Sequence, residues 1–459
     1  MRIELKWAAT AVLGVLVLCG FALINGGPIV YPDTSNYLGD GEQLVRLTTP
    51  NNTRPVFYGL AIWFLHWERT VWPVLLAQGA VVVHVIYLCL RTMEVRLRPL
   101  PFLALLACLA ALTPLSWHVS HVLPDIFTGV ATAALFLLGF TQGRLSRWEI
   151  GYLVVLATAC ICFHLTNLVM GAALAGMGWL AWLLLRRRGV PVRPLLLTLP
   201  TALALLAHVA FSMALYHRVA FAPKSPPHLM ARLIADGPGR DYLRAACPTT
   251  PYYLCRDLDR LPATENGILY RYMSVLSTED GYRIKAEADD VVHGTIRMFP
   301  LQVAGHMLLN TARQFVTIGA LTELDMPWWH MMQHDHPYLA RDASNTLQMR
   351  GAFDGDGLDG LNVVYDAVAL ASGAAFLGLA WACFRRRQWR PLTFMGVVFV
   401  ALWANAFACG ALGGVFGRYQ GRMIWLVPLA AFAAASVLAG VRARAAEARA
   451  PAGSLDLPA

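Results

Sequence analysis

Residues 150–185, IGYLVVLATACICFHLTNLVMGAALAGMGWLAWLLL, decide the fold, because they are apolar almost throughout and contain no charged side chain. As one helix with a rise of 1.5 Å per residue they would be about 54 Å long, whereas the hydrocarbon core of a bilayer is roughly 30 Å thick. Arg147 precedes the stretch, and Arg186 to Arg188 follow it. Since clustered arginines mark the cytoplasmic side of a membrane protein, both ends face the same compartment. We therefore predict two spans that turn at His164 to Asn167.

Other apolar runs have similar lengths, and most approach the roughly 20 residues that a helix needs to cross a membrane. Residues 100–140 must also be split, because they lie between Arg98 and Arg144, and we place the turn at HVSHVLPD (118–125). We predict an all-α polytopic membrane protein with about ten transmembrane helices and both termini in the cytoplasm. The predicted spans are Trp7–Ile24, Val71–Leu90, Leu100–Trp117, Ile126–Phe140, Ile150–Cys162, Leu165–Leu185, Leu195–Leu215, Val363–Phe384, Leu392–Leu412 and Met423–Val441.

The composition agrees with this class. Hydrophobic residues make up 57% of the 459 residues and charged residues only 14%, whereas soluble domains are about a quarter charged. The net charge of +9 does not indicate nucleic acid binding, because the basic residues form short clusters between the apolar runs rather than one patch. We therefore predict a multi-pass protein of the bacterial inner membrane with no nucleic acid partner.

Two long segments outside the predicted spans divide the chain into three parts. Residues 1–215 form an N-terminal membrane bundle with the first outer loop, residues 216–360 a periplasmic loop domain between spans seven and eight, and residues 361–459 the C-terminal helices and a cytoplasmic tail. In the first loop, RPVFYGLAIWFLHW (54–67) predicts a re-entrant or interfacial helix, because it is apolar but short. In the large loop, residues 291–321 predict one amphipathic helix that does not cross the bilayer.

Two cysteines differ in their setting from the other seven. Those seven lie in or beside predicted spans, where a thiol is a small apolar side chain. Cys247 and Cys255 lie in the large loop, and an oxidising periplasm predicts a disulfide between them, with free thiols as the alternative.

Two weaker signals have ordinary explanations. His330 and His334 are four residues apart, as zinc ligands on a helix are, but the glutamate of a metalloprotease motif is missing. They favour a solvated histidine cluster. Gln78 and His84 within the second span favour interhelical hydrogen bonds.

Charged and polar residues cluster in the loops of the predicted outer face. Charges at span ends are functional candidates, because burying them costs several kcal/mol unless they are paired. The alternative is that Asp33 and Asp125 pair with Arg54 or Arg418 only to lock helices together. We expect Asp40 and Glu42, further along the first loop, to be solvated, with either of them as the alternative base. The remaining residues of this group are Arg46, His118, His121, His164, Thr166, Asn167, Tyr419 and Arg422.

Three sequences resemble motifs of the GT-C superfamily of membrane glycosyltransferases, which use polyprenyl-phosphate-linked sugars as donors. They are DTSNYL (33–38) outside the first span, RPVFY (54–58) before the short helix, and RYQGR (418–422) before the last span. The resemblance implies an active site on the periplasmic face, a lipid-linked sugar donor held among membrane lipid, and a periplasmic acceptor. It also implies that the first-loop carboxylate acts as a base or as a ligand of a divalent metal, Mg²⁺ or Mn²⁺. The commonest family pattern has a second acidic residue where this chain has Thr34.

The chemistry of such a transfer suits the residues present. A carboxylate must deprotonate the acceptor hydroxyl, and cations must hold the phosphate and stabilise the leaving group. We predict Asp33 and Asp125 to be catalytic. The predicted donor-binding residues are Arg54, Lys224, Arg418, Tyr419 and Arg422, and the further candidates are Tyr37, Asp40, His118, His121 and His164.

Two other functions fit the composition. A transporter or flippase for a lipid-linked saccharide would be expected to show internal repeats and charges near the bilayer midplane, whereas here the charges cluster at one face. A non-catalytic subunit of a polysaccharide assembly complex is the third interpretation. The sequence favours the enzyme.

Overall fold

The computed structural model describes residues 2–50, 53–188, 192–217, 219, 221, 225–321, 329–353 and 358–447. The fold is all-helical, with 78% of residues in helices and no strand among the described residues. The first half contains α1 (Arg2–Leu18), α2 (Gly20–Asn25), α3 (Pro32–Val45), α4 (Phe57–His66), α5 (Trp72–Thr92), α6 (Pro99–Leu112), α7 (Leu115–Val119), α8 (Ile126–Phe140), α9 (Arg147–Phe163), α10 (Thr166–Leu185) and α11 (Pro194–Tyr216). The second half contains α12 (His228–Asp236), α13 (Pro238–Ala246), α14 (Thr278–Met298), α15 (Pro300–Val316), α16 (Trp329–Asp335), α17 (Pro337–Ala343), α18 (Asp359–Arg385), α19 (Trp389–Ala406), α20 (Gly417–Ile424) and α21 (Leu426–Glu447).

Six helical stretches in the described part of the chain are long and apolar enough to cross a membrane, which indicates a membrane-embedded protein and confirms the all-α class. They are Trp72–Thr92, Thr166–Leu185, Pro194–Tyr216, Asp359–Arg385, Trp389–Ala411 and Gly417–Val441. The other four predicted spans coincide with shorter or interrupted helices, namely α1 with α2, α6, α8 and α9. The count of ten spans therefore stays a prediction.

Helix α8 lies at the centre of the bundle. All fifteen of its residues are buried, and α5, α9, α10, α11 and α19 pack around it. Its apolar residues carry no polar face to turn toward water, so it is stable only as a core element. Gly129 allows close packing on Trp425, since a Cβ atom added there would lie 2.8 Å from the indole ring. Asp125, the residue just before α8, is consequently fixed at one end of the core.

Ion pairs link the loops at the other end of α8. Arg91 Nη1 lies 2.8 Å from Glu149 Oε1, and Arg390 Nη1 lies 3.3 Å from Glu94 Oε1. Arg144 also pairs with Glu94. These exposed or half-exposed pairs add little stability individually. They belong to the loops that the arginine pattern predicts to be cytoplasmic.

Two glycines bring the first-loop helices α3 and α4 into backbone contact. A Cβ atom on Gly59 would lie 2.2 Å from the carbonyl oxygen of Tyr37, and one on Gly41 would lie 2.4 Å from that of Gly59. Only glycine leaves room for this crossing. At ten residues, α4 is too short to span a bilayer.

Gln348 completes the first loop from far along the chain. Its side chain accepts a hydrogen bond from the Val30 amide at 3.0 Å and donates one to the Val30 carbonyl at 2.7 Å. The Gln348 amide donates to Asn25 Oδ1 at 2.9 Å. All three residues are buried, so these bonds satisfy backbone groups that water cannot reach.

The large segment 216–360 consists of two differently packed parts. Residues 230–291 have a hydrophobic core of their own, which includes Ile234, Leu243 and Ile268. In this part Cys247 and Cys255 form a disulfide with Cα atoms 5.8 Å apart. Leu321, Leu339 and Ala343 instead belong to the core of the main bundle.

The prediction of one amphipathic helix over residues 291–321 is wrong. Helix α14 ends at Met298 and α15 begins at Pro300. Proline lacks an amide hydrogen and disfavours helical geometry in the residue before it, and Phe299 accordingly has φ −129° and ψ 50°.

Candidate active site

Most of the candidate residues meet at the end of the bundle where α8 begins. Ile29 of the first loop pairs with the loop before α8, since its amide donates to the Ser120 carbonyl at 2.9 Å. Arg422 of α20 contacts both Asp125 and Thr166 at the same end. The structure therefore joins four loops that are distant in sequence.

Asp33 and Arg54 form the first ion pair of the site. Pro32 and Asp33 begin α3, and Thr34 Oγ1 accepts a hydrogen bond from the Tyr31 amide at 3.0 Å. Arg54 Nη2 donates to Asp33 Oδ1 at 3.0 Å and to Oδ2 at 3.2 Å. Burial would raise the pKa of Asp33, but Arg54 and Arg418 outweigh it and hold that pKa below its usual value. The carboxylate is ionised near neutral pH and remains 23% exposed.

Asp125 and Arg422 form the second pair, which is fully buried. Arg422 Nη1 donates to Asp125 Oδ1 at 3.0 Å, and its side chain is 0% exposed. Arg422 Nη2 donates to Asn405 Oδ1 at 2.7 Å and to Thr166 Oγ1 at 3.0 Å. Burial would raise the pKa of Asp125, yet Arg418 and Arg422 hold it well below its ordinary range. Arg422 thus links α20 with the loop before α8 and with α10 and α19, whereas the helix-locking alternative named Arg418 as the partner of Asp125.

Arg418 has unused hydrogen-bonding capacity. Its guanidinium carbon lies 4.4 Å from the centre of the Tyr31 ring and 5.5 Å from that of Tyr419, which are cation–π distances. Its Nε lies 3.8 Å from Asp125 Oδ2, beyond hydrogen-bonding distance. Nε and Nη1 are buried and donate to no atom of the described residues. Since buried guanidinium donors are costly without acceptors, Arg418 is suited to bind an anion.

Tyrosine side chains surround these pairs. Tyr37 of α3 is buried beside Tyr58, with ring centres 5.2 Å apart. Burial raises the pKa of Tyr37, so its hydroxyl stays protonated and can donate a hydrogen bond. Tyr270, from the large segment, interacts with the Arg54 guanidinium, and burial raises its pKa as well.

Gln78 of α5 holds the loop that carries His118 and His121. Its Nε2 donates to the carbonyls of Val119 and His121 at 3.0 and 2.8 Å, and its Oε1 accepts from the Tyr58 hydroxyl at 3.1 Å. The predicted interhelical role of Gln78 is confirmed.

His118 and His121 are completely buried beside Asp125. Burial lowers the pKa of His118 to about 4 and that of His121 in the same direction. Both imidazoles are therefore neutral near pH 7. One ligand atom from each of the three side chains lies within 4.8 Å of the others, which makes them the metal-binding candidate of the described residues.

His164 contacts the network through Thr166. Its Nδ1 lies 2.8 Å from the Thr166 hydroxyl, which in turn accepts from Arg422. Burial and the nearby Arg422 lower the pKa of His164 to about 3, so it is neutral.

Three other candidates lie elsewhere. Asp40 is fully buried, which contradicts the expectation that it is solvated. The reason is that positions 33, 37 and 40 share one face of α3, and α4 covers that face. Glu42 is also not free, because it accepts from the Tyr338 hydroxyl at 2.7 Å and lies 3.1 Å from His336 Nδ1. Lys224 lies outside the described residues.

Three functional neighbours, Tyr31, Asn405 and Tyr270, were missed by the sequence analysis. Tyr31 and Asn405 touch the arginines directly. Thr166, one of the polar residues expected at this face, bridges His164 to Arg422. Asn405 could have been found as an uncharged polar residue within an apolar span. For Tyr270, more than two hundred residues from Arg54, no local signal existed.

The site combines two ionised carboxylates, three guanidinium groups and neutral imidazoles in one buried network. Such an arrangement can bind an anion, accept a proton and coordinate a metal. Comparisons with models of protein families, with curated proteins and with solved structures find no match. A proposal of function must therefore be argued from the geometry and chemistry of the site.

Proposed function

We propose that this chain is an integral-membrane glycosyltransferase of the GT-C type. It transfers a sugar from a polyprenyl-phosphate-linked donor to a glycan, lipid or protein acceptor. The reaction takes place at the periplasmic face of the bacterial inner membrane. The buried ion-pair network supports this proposal more directly than any other feature.

The observation that carries it is the charge balance of that network. The guanidinium groups of Arg54, Arg418 and Arg422 supply three positive charges, and the carboxylates of Asp33 and Asp125 supply two negative ones. One positive charge is left over, and it lies where two nitrogens of Arg418 have no acceptor among the described residues. An excess buried charge is unfavourable unless an anion compensates it. A phosphate is the anion that guanidinium groups match best.

We assign to Arg418 the role of binding the leaving phosphate. In the transfer, the bond between the anomeric carbon and the phosphate oxygen breaks, and the lipid phosphate departs with the electron pair. Arg418 stabilises the negative charge that develops on that oxygen. The Tyr31 and Tyr419 rings fix the guanidinium plane from its sides.

We assign to Asp33 the role of the base that accepts the proton of the acceptor hydroxyl. Its carboxylate is ionised and partly exposed, whereas Asp125 is nearly inaccessible. As the acceptor oxygen bonds to the anomeric carbon, its proton passes to Asp33. Asp125 then positions Arg418 and Arg422 rather than accepting the proton.

Apolar side chains beside the site provide a surface for the lipid tail. Phe64, Leu65 and Trp67, at the end of α4, are exposed although they are large and hydrophobic. Helix α4 packs against α3, which carries Asp33. A polyprenyl chain can therefore lie along α4 while its phosphate reaches the arginines.

The test is to incubate the purified full-length protein with a panel of radiolabelled polyprenyl-phosphate sugars. Binding and transfer to membrane-lipid or glycan acceptors would both be measured. Arg418→Ala should reduce donor binding, and the control variant Arg244→Ala, at an exposed site in the large segment, should not. If no donor of the panel binds the wild-type protein, the proposal fails.

A flippase for a lipid-linked saccharide is the rival function. It predicts donor binding and movement across proteoliposome membranes without release of the sugar. A non-catalytic assembly subunit predicts neither binding nor movement. Only an enzyme gives a glycosylated product.

A further inference from the structure

The imidazole rings of His118 and His121 are unsatisfied inside the protein. Both side chains are 0% exposed, and none of their four ring nitrogens has a hydrogen-bond partner among the described residues. A buried polar group without a partner costs about 1–3 kcal/mol. Native structures satisfy nearly all buried polar groups with a protein partner, a bound water or an ion.

Aromatic packing does not account for these nitrogens. The His121 ring lies edge to face with Trp117, at 4.8 Å between ring centres, and with His118 at 5.6 Å. Those contacts use the faces and edges of the rings, and they leave the nitrogen lone pairs and N–H groups unpaired. The Trp117 indole nitrogen has no hydrogen-bond partner among the described residues either, so it donates to neither histidine.

The backbone holds the two histidines and Asp125 in one place. Gln78 clamps the carbonyls of Val119 and His121, and Ile29 pairs with Ser120. One nitrogen of each ring and one carboxylate oxygen all lie within 4.8 Å of one another. Ligands around a tetrahedral zinc ion are about 3.3 Å apart, given bond lengths near 2 Å. Metal binding therefore requires the three side chains to rotate toward a common centre.

We infer that His118, His121 and Asp125 bind one transition-metal cation of the Zn²⁺ class. Two imidazoles and one carboxylate are a donor set typical of zinc sites, whereas Mg²⁺ and Mn²⁺ prefer oxygen ligands and water. Three protein ligands leave a coordination position open. This donor set points away from the Mg²⁺ or Mn²⁺ that the family resemblance implies.

Asp125 can serve the metal without losing its structural partner. Its Oδ1 atom accepts from Arg422, while Oδ2 lies 3.8 Å from Arg418 Nε and makes no hydrogen bond with it. A cation bound at Oδ2 would weaken the attraction between Asp125 and Arg418. The added positive charge would then strengthen the demand for an anion. Metal binding itself does not depend on the proposed function, but a role for the metal in holding a phosphate does.

The decisive experiment measures metal content without any sugar donor. The full-length protein is purified through a tag free of histidine, stripped with a chelator, and dialysed against Zn²⁺. Elemental analysis should then give one zinc per chain, and the Co²⁺-loaded protein should show the absorption of a four-coordinate site. Zinc should remain bound in the presence of millimolar Mg²⁺. Zinc binding without any donor turnover would leave this inference standing while the proposed function failed.

Two variants assign the zinc to its ligands. His118→Ala and His121→Ala should each weaken zinc binding by at least about 100-fold, more than loss of an outer-sphere partner. The double variant His330→Ala/His334→Ala removes the exposed histidine cluster of α16 and should keep the zinc. His118→Gln replaces His118→Ala if the latter does not fold. Absence of zinc from the wild-type protein, or its loss only in the α16 variant, would overturn the inference.

Discussion

Arg54 holds both carboxylate oxygens of Asp33 through a single nitrogen, Nη2, at 3.0 and 3.2 Å. This differs from the parallel two-nitrogen fork of the strongest arginine–carboxylate pairs. Both side chains are also about a quarter exposed. The pair can therefore open toward an incoming hydroxyl, whereas the buried Asp125–Arg422 pair cannot.

Asp33→Asn should lower the rate of transfer by about 10²–10⁴-fold, the usual contribution of a general base. The amide keeps the size of the side chain but cannot accept the proton. Donor binding should change little, because the phosphate is assigned to Arg418. Single-turnover kinetics with a saturating donor measure the effect. Transfer near the wild-type rate in a normally inserted variant would return Asp33 to the helix-locking role.

Arg54→Gln should make the activity sensitive to mild acid. The pKa of Asp33 is lowered from 3.8, so the wild-type carboxylate stays ionised from pH 8 down to pH 5. Without Arg54 the pKa of Asp33 rises, because burial raises it and one of the two nearby positive charges that lower it is gone. The Asp33 carboxylate then becomes protonated as the pH falls. The ratio of variant to wild-type rate should therefore decrease from pH 8 to pH 5. A constant ratio would show that Arg54 does not set the ionisation of Asp33.

Arg418 and Arg422 should respond differently to replacement by alanine. Arg418→Ala should weaken donor binding and leave the protein folded, since its Nε and Nη1 support no internal hydrogen bond. Arg422→Ala leaves Asp125 buried beside fewer positive charges and should destabilise the fold by about 3–5 kcal/mol. Donor affinity and thermal unfolding in detergent, measured side by side, test the contrast. The opposite pattern would exchange the roles of the two arginines.

Gly59→Ala should destabilise the protein by about 1–3 kcal/mol, because the new methyl group collides with the Tyr37 carbonyl. The displaced α3 would also carry Asp33 away from its position. Gly176→Ala in α10 is the matched control, since a Cβ atom there meets open space, and it should be neutral or slightly stabilising. Thermal unfolding of the two variants distinguishes them, and equal midpoints would mean that the crossing is not tight.

Cys247 and Cys255 should be recovered as one disulfide-linked peptide pair from the mature protein. Their separation of eight residues limits the stabilisation to about 2–3 kcal/mol. The paired substitution to serine should thus loosen residues 230–291 without unfolding the main bundle. Mass spectrometry of non-reduced peptides gives the answer. Two thiols that alkylate without reductant would contradict it.

The membrane-embedded, all-helical character follows from the apolar runs because the bilayer permits few alternatives. The site was only partly predictable. Asp33 and Arg54 lie 21 residues apart in one loop, so the pair was among the expected ones. The partnership of Asp125 with Arg422 spans 297 residues, and a single sequence holds no signal for it. Arg418 was the expected partner of Asp125. Both Arg418 and Arg422 lie on α20 and are close to the Asp125 carboxylate.

Two local patterns were available and overlooked. Pro300 interrupts the amphipathic pattern of residues 291–321, and the rule that helices end before proline would have divided it. Spacing of three residues places Tyr37 and Asp40 on one helical face, so the burial of Asp40 beside Tyr37 was foreseeable. The closeness of His118, His121 and Asp125 was not foreseeable, since the HxxHxxxD spacing of residues 118–125 spans a short helix and a turn.

The bond between Val30 and Gln348 sets the order in which the protein can mature. These residues are 318 positions apart, and the ribosome makes the N-terminal one first. While the nascent chain is threaded into the membrane, the first loop has no Gln348 to close it, and Asp125 has no arginine from α20. A chain that stalls before residue 348 therefore keeps its carboxylates unassembled. The ion pairs of Asp125 with Arg418 and Arg422 can form only after α20 has been synthesised.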